Sequence, residues 1–403
     1  MSGPPRFGQG NIPRTPMPHR FISSINQVSA MQWDNLCPAS YPFIRHRFLA
    51  ALELSGSCSA KNGWQPHHLL MEEDGKLVAA LPGYIKSHSY GEYVFDWAWA
   101  DAYHRYGHEY YPKLISAIPF TPCYGARLLV APGQSAEQLY LRMFACIQQE
   151  VERLGLSGWH CLFPADSESR RWEDAGTMMR LGCQFHWFNR DYQGFEDFLA
   201  QLSSRKRKTL RKERQQVAAQ GLRFEWLTGS QLTPEICAHF YQLYRNTYRK
   251  RSGHDGYLSA DFFARLGPDL ADMTLLIRVL NSDGDAIAAA LFFYDECTLY
   301  GRYWGCLEEY QFLHFETCYY QGIEFAIAHG LQRFDGGAQG EHKLARGFEP
   351  LLTYSNHWLC DADFTAAVSR FVAGEAQQVR AYREEAIGYL PYREGVGLSR
   401  DAT

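Results

Sequence analysis

The sequence predicts an α/β (α+β) protein in which one structural plan occurs twice. Three observations carry that expectation. Two segments, "LLMEEDGKLVAALPGY" (69–84) and "LLIRVLNSDGDAIAAALFFY" (275–294), each run strand, Asp-Gly turn, strand. Asp-Gly between β-rich runs is the strongest short hairpin signal. Each is followed by a long pattern of apolar residues at three- and four-residue spacing that stops at a glycine, 136–155 and 312–330, as an amphipathic helix with a left-handed cap does. A short strand pattern comes next each time, "LSGWHCLF" and "LQRFDGG".

Each half is therefore expected to be a mixed twisted sheet flanked by helices. Residues 1–20 hold five prolines and no apolar core segment, and read as a flexible tail, not a signal peptide. The first domain is expected over 21–192. It carries an aromatic, Pro-punctuated surplus at 102–125, a functional-loop composition, and closes with a helix-then-strand stretch at 172–192. The second domain, 193–360, opens with a helical stretch at 195–221. Residues 361–403 hold a final helix, from Asp363 to about Gly388, that has no counterpart in the first half and is placed to bridge the domains, and then a tail.

Composition narrows the function. At 403 residues the chain exceeds one ordinary core, and 46% hydrophobic with 15% aromatic residues excludes disorder for most of it. No apolar run approaches the roughly 18 residues a spanning helix needs. The 11 cysteines are scattered singly with no CxxC pair, which suits a reducing compartment, so a cytoplasmic protein is expected. The 15 histidines include no HExxH, and no metal site is expected. P-loop and Rossmann glycine patterns are absent, and "GQSAE" lacks the second glycine of a nucleophile elbow.

Charge is distributed unevenly. The chain carries a formal charge of -4, yet seven of its 40 Lys and Arg fall between Arg205 and Arg214. Phe198, Leu199, Leu202, Leu210 and Val217 share one broad helical face that docks on the fold. The remaining surface is positive, and like charges at i,i+4 cost a few tenths of a kcal/mol each. A solvated face normally mixes signs. Arg205, Arg207, Lys208 and Arg211 are accordingly expected to bind an anion, against the alternative of a plain solvated face.

"FDGGAQGEHKLARGFEP" (334–350) is the best site candidate. Its glycines permit close backbone approach to a ligand. Glu341 or His342 is placed to take a proton from an attacking amine, with Asp335 as a second base. Lys343 and Arg346 suit a carboxylate, a phosphate or a developing oxyanion. A solvated loop is the alternative. On the long helix, Glu316 and Tyr320 are expected to face the cleft or water. Tyr303 is a proton donor to a leaving group, or core. In the first half, Glu92, Asp96 and Lys113, with His88, Asp101, Tyr110 and Tyr111, suggest a polar aromatic pocket for an acceptor.

The strand order, the basic helix before the second copy, and the segments "HSYGEYVFDWAWADAY" (88–103), "YYPKL" (110–114), "PFTPCYGARLL" (119–129), "YWGCLEEYQFLHFETCYYQGIEFAI" and "GAQGEHKLARGFEP" (337–350) resemble the FemAB-like branch of the FemABX aminoacyltransferases. These are tandem GNAT (N-acyltransferase) proteins, and the likeness covers roughly residues 20 to 390. The resemblance implies a cytoplasmic transferase that moves an aminoacyl or acyl group onto an amine. Aminoacyl-tRNA or acyl-CoA would be the co-substrate, with no tightly bound cofactor, and a peptidoglycan-precursor peptide is the implied acceptor. The CoA pattern [R/Q]xxGx[G/A] is matched only by "RFDGGA" (333–338), which follows the long helix instead of preceding it. That counts against CoA. Partners are thus an anionic small molecule or a tRNA acceptor end, and an amine. A non-catalytic precursor-recognition protein and an RNA binder using the helix alone are the competing functions. The sequence does not fix the oligomeric state.

Overall fold

A computed structural model describes residues 17–38, 41–338 and 340–398. Most of the expected tail lies outside the described residues. From His19 the chain is already in a strand, His19–Ile22, paired with His68–Glu73, so ordered structure starts before the expected boundary at 21.

Both hairpins form. His68–Glu73 and Lys76–Leu81 meet at Asp74 (φ 49°) and Gly75 (φ 74°), a two-residue turn whose twist matches the flanking strands. Thr274–Leu280 and Ala286–Tyr294 meet through a wider loop. There the Asn281 side chain accepts from the amides of Asp283 (3.0 Å) and Asp285 (2.8 Å). The first long helix, Ala136–Leu154, buries Leu139, Met143, Ile147 and Val151 and ends at Gly155 (φ 63°).

Two expected helices differ. The basic stretch is two helices, Phe195–Ala200 and Ser204–Ala218. The chain breaks where the Ser203 amide donates to Pro391 O at 2.8 Å and Leu202 bridges Tyr392. The second long helix is interrupted: Leu313–Phe315 and Gln321–Ala328 flank a π-turn at Glu316–Tyr320. Its wider spacing lets Gln321 Nε2 reach back to Glu316 Oε1 at 2.9 Å, while Arg214 grips Glu316 and Glu324, both at 2.8 Å. Apolar periodicity carries no trace of such an insertion, which occurs frequently at functional sites.

The halves interlock. An eleven-stranded sheet runs in the order Arg223–Thr228, Thr274–Leu280, Ala286–Tyr294, Thr298–Cys306, Arg333–Asp335, Met178–Phe188, Glu349–Leu359, Gly158–Leu162, Lys113–Ser116, Tyr84–Lys86, Trp64–Pro66. The last strand of each half thus pairs with a strand of the other. Met178–Phe188 follows the second half's Arg333–Asp335, and Glu349–Leu359 follows the first half's Gly158–Leu162. Each half contributes one parallel pair, Lys113–Ser116 with Gly158–Leu162 and Thr298–Cys306 with Arg333–Asp335, and a long helix crosses between its two strands. A second sheet of four strands holds the first hairpin. The helix Ala362–Gly388 lies across the exchanged strands: Arg180 pairs with Glu375 (2.7 Å), and Phe364 stacks on Tyr103 at 3.9 Å.

Arg214 ties the basic helix to the π-turn by neutralising Glu316, which is 4% exposed. Arg214→Met strands that carboxylate. We expect a loss of about 2–3 kcal/mol in urea unfolding, against less than about 0.5 kcal/mol for Arg211→Met, whose partner Glu196 is exposed.

Candidate active site

The parallel ladder between Thr298–Cys306 and Arg333–Asp335 covers only three residue pairs, ending at Tyr300 opposite Asp335. Beyond it the chains diverge at Gly301 and Gly336. A cavity of about 410 Å³ opens between them. Its floor is Gly301, Gly336 and Gly337; its cations are Arg251, Arg302 and Lys343; Tyr303 and Tyr319 form its sides, and the Ser89–Trp97 loop of the first half supplies its roof. Gly337 has φ +84°, and a Cβ at Gly336 would come within 2.9 Å of Phe348. The Asp335 carboxylate fixes this bend by accepting the Gly337 amide at 2.8 Å, and Lys343 Nζ donates to Gly337 O at 2.8 Å.

A smaller chamber of about 210 Å³ adjoins it, sharing Tyr93, Phe95 and Ala338. Its walls come from the exchanged strands and include Arg180, Gln184, Thr353 and Ser355. Gln184 is 3% exposed and its Oε1 has no partner.

Burial pushes the Lys343 ammonium down to about 8, against the pull of Asp335. Burial also raises Asp335, but His186, the Gly337 amide and Arg302 outweigh it and hold the carboxyl below its usual range. Burial raises the Tyr303 phenol, whose hydroxyl donates to Phe120 O at 3.3 Å. That phenol holds its proton more firmly than an exposed one. Tyr319 Oη lies 2.8 Å from His342 Nε2. Burial, Lys343 and Arg346 push His342 down to about 4, so it is neutral near pH 7.

The expected site residues separate into five groups. Lys343 and Tyr303 reach the cavity, His342 touches it through Tyr319, and Asp335 shapes its floor. Glu341 points elsewhere: it is exposed and accepts from Tyr382 of the last helix at 2.8 Å. Arg346, Glu316 and Tyr320 turn inward under the basic helix. Arg346 donates to Glu213 at 2.9 Å and packs on Phe315, Glu316 is held by Arg214, and Tyr320 donates to Glu213. Ion pairs thus hold Arg346 and Glu316, and a hydrogen bond to Glu213 holds Tyr320, away from the cavity. The helix cations Arg205, Arg207 and Lys208 form no ion pair among the described residues, Arg211 pairs with Glu196 at the surface, and none of the four lines the cavity.

Glu92, Asp96 and Lys113 come together as a buried cluster. Lys113 Nζ donates to Glu92 Oε2 (2.9 Å), Ser89 Oγ (2.8 Å) and Asp96. Burial pushes Asp96 up, but Lys113 and His160 bring it down to about 2; burial prevails at Glu92, which rises to about 7. Sequence reasoning missed Arg251, Arg302 and Tyr319, which sit in helical and strand patterns that read as packing. No group of three His, Cys, Asp or Glu suited to a metal occurs among the described residues.

The model of the FemAB-like family, described as peptidoglycan biosynthesis/recognition, matches residues 24–394. No curated protein matches the sequence. Among solved structures, FemX is 10% identical over 85% of this chain and 98% of its own, with a TM-score of 0.52. A conserved protein of unknown function from Bacteroides thetaiotaomicron is 9% identical over 85% and 99%, at 0.50. A tandem GNAT protein from the clavulanic acid biosynthesis pathway is 9% identical over 85% and 99%, at 0.48. The mixed α/β architecture is similar to that of FemX.

Lysine 343 leaves a pH signature. Its folded value of about 8 lies below the ordinary 10.5, so between those values the unfolded chain binds more protons and stability rises with pH. Lys343→Met should flatten that rise, measured as urea midpoints at about pH 7.5 and 9.5.

Proposed function

Because the chain belongs to the FemAB-like family of peptidoglycan biosynthesis/recognition, we propose that it is an N-acyltransferase that moves an aminoacyl group onto the amine of a peptidoglycan-precursor peptide. One observation carries this reading: a cation-lined cavity at the splayed strand pair, with a floor of glycine backbone and a roof from the other half.

An activated carbonyl held there lies beside Lys343, whose ammonium is charged at neutral pH. As the amine adds, the carbonyl oxygen becomes an oxyanion, and a preorganised cation in a dry site is worth most at that moment. Arg251 and Arg302 hold the anionic part of the donor. His342 orients the Tyr319 hydroxyl on the cavity wall. The smaller chamber, with Thr353, Ser355 and Gln184, receives the acceptor, so amine and carbonyl meet at Ala338.

The donor is read as aminoacyl-tRNA over acyl-CoA. "RFDGGA" forms the strand end and cavity floor and leads into the short helix Glu341–Arg346; it does not open the long helix, where a pyrophosphate would be cradled. Arg205, Lys206, Arg207, Lys208 and Lys212 present a cationic face to a long polyanion.

Purified protein, aminoacyl-tRNA and a nucleotide-linked muropeptide should give an acceptor heavier by one aminoacyl residue in mass spectrometry. Lys343→Met should lower kcat by about 10²-fold with little change in KM. Muropeptide binding without any adduct from tRNA or CoA donors would instead mark a recognition protein. Lys208→Glu with Lys212→Glu should raise the KM for tRNA and reduce its dependence on salt; an unchanged KM would assign those charges to solubility.

A further inference from the structure

The two chambers are joined by a line of buried side chains that the reaction above does not use. It starts at Ser355, on the wall of the smaller chamber. Ser355 Oγ lies 2.8 Å from His357 Nε2, and His357 Nδ1 lies 2.7 Å from His160 Nδ1. His160 Nε2 lies 3.3 Å from the Tyr110 hydroxyl, which donates to Asp96 Oδ2 at 2.6 Å. Asp96 is bound by Lys113, which also holds Glu92 and Ser89. Ser89 lines the larger cavity. His160, His357, Tyr110, Asp96 and Lys113 are each at most 3% exposed.

The hydrogens along this line have one self-consistent arrangement. Tyr110 spends its only proton on Asp96, so it accepts from His160 Nε2–H. His160 Nδ1 is then the acceptor, and His357 Nδ1–H donates to it. His357 Nε2 in turn accepts from the Ser355 hydroxyl. Every donor points from Ser355 toward Asp96.

We propose that Ser355, His357, His160, Tyr110 and Asp96 form a proton relay that takes the proton lost by the acceptor amine and delivers it to the Lys113–Glu92–Asp96 cluster. The proposal rests on the transferase reading and supplies its missing base. As the amine nitrogen bonds to the acyl carbon, its N–H proton passes to Ser355 Oγ. The Ser355 proton passes to His357 Nε2, the His357 Nδ1 proton to His160 Nδ1, the His160 Nε2 proton to Tyr110 and the Tyr110 proton to Asp96; Lys113 takes that proton from Asp96 as it gives one of its own to Glu92, the carboxylate that burial raises. The ester or thioester bond breaks, the leaving oxygen or sulfur keeps the electron pair, and the line runs in reverse: each proton steps back until Ser355 protonates the leaving atom and both rings regain their starting tautomers.

Two features favour conduction over plain packing. Burial, first, and then neighbouring charges push His160 down to about 3 and His357 well below its ordinary value. Neither ring can become a cation, but in the relay each only exchanges one tautomer for the other and stays neutral throughout. The groups facing them agree: Trp99 packs edge-on against His357, and Arg180, paired with Glu375, still adds to Lys113 in opposing a charge on that ring. The second feature is the terminus. One lysine faces two carboxylates, and Glu92 Oε1 and Asp96 Oδ1 are buried without partners. A cluster with one negative charge in excess has room for one proton. Lys86, the remaining cation near Glu92, donates to Tyr90 O at 3.2 Å and does not fill that place.

The test has two arms. Nitrogen-15 NMR of the full chain labelled at histidine, assigned with His160→Asn and His357→Asn, should show both rings neutral from about pH 5.5 to 8.5, with protons on His357 Nδ1 and His160 Nε2. A ring that titrates in that range, or the opposite tautomers, would overturn the relay without any substrate. In the kinetic arm, Tyr110→Phe and Ser355→Ala each remove one link and little volume. Each should lower kcat about 10²-fold, leave KM unchanged and make kcat climb with pH as hydroxide replaces the relay. The double variant should be no slower than either single variant, because one broken link stops the line. Undiminished kcat, or losses that multiply, would overturn the relay alone. Absence of turnover with every donor would overturn the transferase reading, and the NMR arm would still decide the hydrogen arrangement.

Discussion

The structure depends on the exchange of strands between its halves. Met178–Phe188 and Glu349–Leu359 pair along nine residues, from His357 opposite Met178 to Glu349 opposite His186. Each then finds its second neighbour in the other half. Close approach at these seams requires glycine. A Cβ at Gly182 would lie 2.7 Å from Thr353 Oγ1, and one at Gly158 would lie 2.2 Å from Trp358 O. A one-residue slip would turn every side chain of these strands to the opposite face. Both chambers would be lost, since the smaller is walled by these strands and the larger opens where the neighbouring pair splays.

The same seams place the buried polar chemistry. His160 stands opposite His357 in register, and His186 opposite Asp335. Each pair therefore joins residues from different halves. Duplicated scaffolds that merely sat side by side would leave these groups in separate cores, where an unpaired polar side chain costs about 1–3 kcal/mol. The exchange instead lets His357 of one half complete the hydrogen bond of His160 in the other and sets the charge of Asp335 beside His186, and the cleft forms where the two halves meet.

Sequence patterning revealed the repeat because hairpins and amphipathic helices are written locally. Asp74-Gly75 needs only its own two positive φ angles, and Ala136–Leu154 only its apolar stripe. The exchange was not legible, since Met178–Phe188 has the same strand pattern whichever neighbour it joins. The site was half legible for a related reason. Lys343 stood out as a charge among glycines, and it reaches the cavity. Arg346 stood out equally, but its fate was decided by Glu213, 133 residues away in sequence. Glu316 likewise looked available until Arg214 folded over it. Charge density marks a region, whereas pairing partners decide which charges remain for a ligand.

That distinction explains how an acidic chain can hold a dense cationic helix. Glu213 faces inward and neutralises Arg346, Arg214 spans Glu316 and Glu324, and these pairs anchor the inner face to the π-turn. The outer cations are left over from this pairing, held side by side despite their mutual repulsion. The Lys113 cluster shows the opposite imbalance, with carboxylates in excess and water excluded. Burial makes an uncompensated charge far more expensive there than on the helix. A stable core of the same volume could have been built from apolar residues. Stability alone therefore accounts for neither arrangement, and the buried one, where the energetic penalty is greater, makes the stronger case for function.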